Sequence, residues 1–184
     1  MEPGSRGGAP DNFSQGHIDD ERLHKAELAQ EIGTYSMELS ALTSPGEKQK
    51  AVDFMKSVGM PIDGGLRYFE MHGVRDVEPA VAKAEMNEAI QEYVDKLPES
   101  DLDAKTKTFM LNLLRLNVVR WMSKKEEDYA KWMDRATRET NSKDKMEMAE
   151  IAESAVHAQD DAVGYLKLID KALASLPPAE EMAA

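Results

Sequence analysis

The chain has 184 residues, of which 41% are hydrophobic and 6% aromatic, and its 35 acidic against 23 basic side chains give a formal net charge of -12. That length suffices for one domain with a sizeable core, the low aromatic share suits helices packed on Leu, Met, Ala and Ile, and the acidity disfavours phosphate backbones and anionic membranes as partners. The lack of cysteine excludes disulfides, thiol nucleophiles and Cys-ligated metal, and no apolar run reaches the roughly 18 residues of a membrane span.

Residues 1–16 are rich in Gly, Ser and Pro and carry no apolar stretch of the kind found in a Sec-type signal peptide. We expect a disordered tail over residues 1–18, one helical domain over 19–176 and a mobile tail over 177–184. The first predicted helix begins near Asp19-Asp20, acids that favour a helix start. Its stripe reads Leu28, Ile32, Tyr35, Leu39, Leu42, in steps of 4, 3, 4 and 3, a heptad seam with Gly33 inside it.

Ser44-Pro45-Gly46-Glu47 reads as a capping box opening a second helix that runs to about Val58, with Val52 and Met55 on one face and Gly59 as its left-handed stop. A turn over residues 60–65 leads to a short third helix from Leu66 to about Met71, ending at Gly73. Asp76 is the expected cap of a fourth helix with Pro79 in its first turn and a stripe of Val81, Met86, Ile90, Val94 and Leu97, ended by Pro98. Ser100 or Asp101 is expected to cap a fifth. Over residues 109–122 that helix is apolar nearly all round, as a central helix is, and Tyr129, Trp132, Met133 and Ala136 restore a face after a polar stretch.

Asn141-Ser142 breaks the pattern. The sixth helix then shows Met148, Ala152, Ala155, Gln159, Ala162, Leu166, Ile169, Leu173 and Leu176, alternating steps of 4 and 3 over about 42 Å. Gln159 is its one polar insertion, a residue type that can set register. An apolar stripe left open costs about 25 cal/mol for each Å². Either the first and sixth helices pair with each other in antiparallel fashion or pack on the fifth, or part of a seam receives a partner helix or a second copy.

Catalytic and metal patterns are absent from the sequence. There is no HExxH pair, no Gly-rich phosphate loop and no nucleophile elbow. Glu150, Glu153 and His157 lie near one helix face, but a di-iron bundle needs Glu-x-x-His on two helices, and the spacing here is one residue longer and occurs once. Asp101-Leu102-Asp103 starts like a calcium loop, yet Thr106 stands where Gly is needed and Asn112 where Glu is needed. Trp121 and Trp132 read as core or interface anchors. No enzymatic activity and no cofactor are expected.

Two stretches resemble known families. The run Phe54-Met55-Lys56-Ser57-Val58-Gly59-Met60-Pro61-Ile62-Asp63-Gly64, followed by Leu66, Phe69 and Gly73, resembles a helix-plus-turn of the filament and needle-tip proteins of bacterial type III secretion. The likeness in order and spacing extends over about residues 25–135, through the helix that follows and a long one containing Leu116-Asn117-Val118-Val119. The heptad helix after Asn141 runs past the filament pattern, and long flanking helices look more like the needle-tip branch. The resemblance implies a secreted, assembling virulence protein. Separately, Leu66-Arg67-Tyr68-Phe69-Glu70-Met71-His72-Gly73-Val74 looks like the recognition helix of MerR-type transcription factors, which would bring Arg67 and Tyr68 to phosphates; the basic wing of that family has no counterpart in Arg75-Asp76-Val77-Glu78.

The reading is therefore an all-α fold: an elongated helical bundle with an antiparallel coiled-coil-like pair and a small helical cap. Its expected work is non-enzymatic protein–protein interaction or self-association through Leu28, Ile32, Tyr35, Leu39, Gln159, Leu166, Ile169, Leu173 and Leu176. A type III secretion tip or filament component is its sharpest form, a cytoplasmic helical adaptor or chaperone the alternative, and a DNA-binding regulator the third.

Overall fold

The computed structural model describes residues 44–62 and 65–177. The first predicted helix, with Leu28, Ile32, Tyr35, Leu39 and Leu42, lies outside them, as do the tail at residues 1–18 and all but Pro177 of the tail at 177–184. The described residues are all-α, with five helices and no strand: α1 (Pro45–Ser57), α2 (Gly65–Arg75), α3 (Pro79–Lys96), α4 (Ala104–Arg138) and α5 (Ser142–Ser175).

Several helix ends have a clear local cause. Ser44 caps α1 by accepting the Glu47 N–H at its hydroxyl, and Pro45 fills the first helical position, where a missing N–H costs nothing. Gly59, at φ +68°, turns the chain out of α1 while the Met60 N–H donates back to the Met55 carbonyl at 2.9 Å, a Schellman stop. Asn141 caps α5 through its side chain, which accepts the Lys143 N–H at 3.0 Å.

Four local expectations need correction. The third predicted helix does not end at Gly73; α2 continues to Arg75, and Gly73 is a packing residue, since a Cβ there would sit 3.0 Å from the Ala82 Cβ. The cap of α3 is Glu78, not Asp76: Pro79 forces its predecessor into the extended region, and Asp76 instead meets the His72 ring at 3.2 Å. The cap of α4 is Asp103, whose carboxylate accepts the Thr106 N–H at 2.6 Å, rather than Ser100 or Asp101. Val81 faces out, because the buried strip of α3 runs through Ala82, Met86, Ala89, Ile90, Tyr93 and Val94.

The spine is an antiparallel hairpin of α4 and α5, each about 50 Å long at 1.5 Å per residue and packed on the other over much of its length. The sixth predicted helix thus pairs with the fifth. Its heptad strip lies on α4, with Met148, Ala152, Ala155, Ala162 and Ile169 buried and Leu166, Leu173 and Leu176 half-buried against the core. Tyr165 and Ala172 are buried too, one position off the heptad, which broadens the narrow seam into a face. Helices α1 to α3 form the cap, and a single core joins both parts through Met55, Phe69, Ile90, Tyr93, Leu114 and Ile169. At its centre Tyr93 is fully buried, donates its hydroxyl to the Met110 carbonyl and meets Phe54 edge-on at 5.4 Å.

Candidate functional site

The residues predicted as an interface separate into three groups. Ile169 is wholly inside the chain, at 0% exposure. Gln159, Leu166, Leu173 and Leu176 lie half-buried along the edge of α5. Leu28, Ile32, Tyr35 and Leu39 fall outside the described residues. On α5 the strip that sequence periodicity singles out is therefore mostly used within the molecule, and the surfaces left open among the described residues are elsewhere.

The first open surface is the flank of the hairpin turned away from the cap. Its register is fixed by two pairs: the Arg115 guanidinium Nε donates to Asp170 Oδ1 at 2.9 Å, and the Trp121 and Tyr165 rings lie 6.2 Å apart. One heptad along α4 from Arg115 is Met122, and one heptad back along α5 from Asp170 is Val163; a second heptad gives Tyr129 and Val156. The antiparallel register therefore sets Met122 level with Val163, and Tyr129 level with Val156. Tyr129 is 39% exposed, Val156 38% and Val163 44%, while Val119, Met122, Met133 and Ala149 are half-buried. The cap lies on the other side, marked by Lys83–Asp161 at 2.6 Å and by the hydrogen bond of Tyr165 to Asn87. Exposed acids, Glu126, Glu153 and Asp160, border the open ridge. Tyr129, expected to restore a packed face, stands instead in the open.

The second open surface is a cleft of about 320 Å³ where α2 and α3 meet the hairpin. Phe69, Met86 and Trp121 give it bulk, and Pro79, Ala82 and Ala158 leave it room. Polar groups sit at its edge. The indole Nε1 of Trp121 donates to Glu70 Oε1 at 2.6 Å, and Lys125 pairs with the same carboxylate. Asp161 pairs with Lys83 across the mouth. Burial, with the Asp161 carboxylate as a second cause, pushes the Tyr165 phenol up to about 12. The sequence does not mark this cleft as one surface, because its residues come from four helices; Trp121 reads there as a core or interface anchor.

Among the described residues no group of three His, Asp or Glu side chains could hold a metal ion, and no helix is long and apolar enough to cross a membrane. Glu150, Glu153 and His157 are all exposed on α5. Arg67, which the MerR likeness would bring to phosphate, is only 6% exposed and lies in the cap, while Tyr68 beside it is open to solvent and stacks on His72. Trp132 is half-buried under the Arg135 guanidinium at 4.8 Å.

Comparison with known proteins adds no relative: no protein-family profile, no curated protein and no solved structure matches the chain.

Proposed function

We propose that this chain is a non-enzymatic protein–protein interaction protein that offers the open flank of a helical hairpin to an amphipathic helix. The observation that carries the reading is the alignment of exposed apolar side chains at heptad spacing, Val156 and Val163 on α5 with Tyr129 opposite, in a chain whose main seam is already occupied by α4. A ridge of this kind in water is unfavourable by about 25 cal/mol for each Å², so covering it drives association. The acids along its border, Glu126, Glu153 and Asp160, favour a partner helix with Lys or Arg beside its apolar stripe.

The likeness to type III secretion proteins gives this reading its sharpest form, a tip or filament component that assembles through long helices. The paired long helices and the separate cap fit that form. A cytoplasmic adaptor or chaperone using the same flank is the second reading. Burial of Arg67 weighs against the DNA-binding regulator, because the side chain meant for phosphate is committed to the interior.

Light scattering on the full chain over a range of concentrations tests the proposal. Mass rising with concentration, and abolished by Val156→Lys with Val163→Lys at unchanged thermal melting, is the result expected for a tip or filament subunit. A chain that stays monomeric but binds a basic amphipathic peptide through those two valines supports the adaptor. Association and peptide binding both indifferent to the double substitution would sink the flank as the working surface.

A further inference from the structure

We propose that the cleft between the cap and the hairpin is a binding site for a small, neutral, largely apolar molecule, a site separate from the flank described above. Three features of the cleft point to this ligand class.

Its size is the first. At about 320 Å³ the cleft stands at the lower end of the range of roughly 300–1,000 Å³ typical of ligand sites, room for a compound of two or three rings. The walls explain how it stays open. Gly73 lets α2 close against Ala82 of α3, and both residues line the cleft. Ala82 and Ala158 then keep the floor clear between the larger Phe69, Met86 and Trp121. The rings and the thioether offer polarisable, uncharged surface suited to an aromatic or aliphatic guest.

The second feature is the electrostatics of the edge. Glu70 is matched by the Trp121 indole N–H and by Lys125, and Asp161 is matched by Lys83. Two carboxylates and two ammonium groups cancel, so the mouth presents no fixed net charge for an ionic ligand to answer. A chain of net charge -12 repels anions besides. The third feature is the polar handle. Ser154 and His157 stand exposed at the mouth, where they can hold one hydroxyl or amine of a guest whose body lies within.

The test uses the full chain and N-phenyl-1-naphthylamine, a neutral probe that brightens in apolar surroundings. Saturable one-to-one binding is expected. Ala158→Phe, which fills the floor, and Ser154→Phe, which narrows the mouth from an exposed position, should each weaken it about tenfold or more at unchanged melting. Ser154→Phe alters no core residue and keeps the test valid if Ala158→Phe fails to fold. The sulfonated anion 8-anilinonaphthalene-1-sulfonate is expected to bind about tenfold more weakly than the neutral probe. Fluorescence that rises without saturating, or a Ser154→Phe variant that binds as the parent does, overturns the site; an anion bound as tightly as the neutral probe overturns the ligand class. Neither result bears on Val156 and Val163.

Discussion

Trp121 and Glu70 are joined by a 2.6 Å hydrogen bond from the indole nitrogen to the carboxylate, across 51 residues of sequence. The bond ties α2 to the middle of α4 and closes one edge of the cleft. Lys125, one turn along α4, pairs with the same carboxylate, so Glu70 satisfies a buried donor and a partly buried cation together. Removing it leaves the indole N–H without its acceptor and Lys125 with only Asp128, at 3.7 Å, in a region of low solvent access. Glu70→Ala is expected to lower unfolding free energy by about 1–3 kcal/mol in urea titrations, and Glu70→Gln, which keeps an oxygen acceptor for the indole, by less. Equal stability of all three proteins would show that the bond contributes nothing.

Gly73 lies in the last turn of α2, still inside the helix, where glycine is less favourable than alanine. By intrinsic propensity alone Gly73→Ala should stabilise α2 by about 1 kcal/mol. The added Cβ, however, meets the Ala82 Cβ at 3.0 Å and the Pro79 Cα at 3.4 Å, so α2 and α3 have to part slightly. No stabilisation is expected for Gly73→Ala, and Gly73→Val is expected to cost about 1–3 kcal/mol by overpacking. A Gly73→Ala protein that melts higher than the parent would mean that the two helices approach less closely than described.

Tyr165 links the hairpin to α3 through Asn87, and burial, with the Asp161 carboxylate as a second cause, pushes its phenol up from the ordinary 10 to about 12. The folded state thus holds the proton more tightly than the unfolded chain does. Tyr165 contributes no pH dependence below pH about 10. Above it the unfolded chain ionises first, and stability falls as pH rises toward 12. Tyr165→Phe should flatten part of that alkaline loss in denaturation curves recorded between those limits. In the parent, absorbance at the phenolate band should contain a late-titrating component that Tyr165→Phe removes.

The long elements were legible in the sequence because periodicity and punctuation agreed. Ser44-Pro45 and Asn141-Ser142 start α1 and α5 with side chains that cap their own backbones, and the alternating steps from Met148 onward trace the strip laid on α4. What misled was residue chemistry with two uses. Gly73 reads as a stop but serves close packing, and Asp76 reads as a cap but turns to His72. Asp103 displaced Ser100 and Asp101 as a cap because three acceptors lie within four residues, and tertiary contact chooses among them: its own N–H donates to Glu47 of α1 at 3.1 Å, which fixes the turn there. The Lys50 ammonium first, and this Asp103 N–H second, hold the Glu47 carboxyl below the usual range. The cleft was not legible because its lining comes from four helices distant in sequence, each giving one short face that only the tertiary fold brings together, and the open flank left little because Val156 and Val163 lie beside the heptad strip rather than on it.

Three residues of α5 offer a gradient across the hairpin. Ile169 is fully buried, Leu166 is half-buried and Val163 is 44% exposed on the flank away from the cap. Truncation to alanine should follow that order. Ile169→Ala removes packed methyl groups and leaves a cavity beneath α4, at a cost of about 2–5 kcal/mol. Leu166→Ala should cost a fraction of that, because solvent and neighbouring side chains can take up the space. Val163→Ala should change stability by no more than about 0.5 kcal/mol, as at other open positions. Chemical denaturation of dilute protein, where association is absent, measures all three on one scale. A Val163→Ala loss as large as that of Ile169→Ala would mean that the flank is packed rather than open, and a surface already packed has nothing left to offer a partner helix.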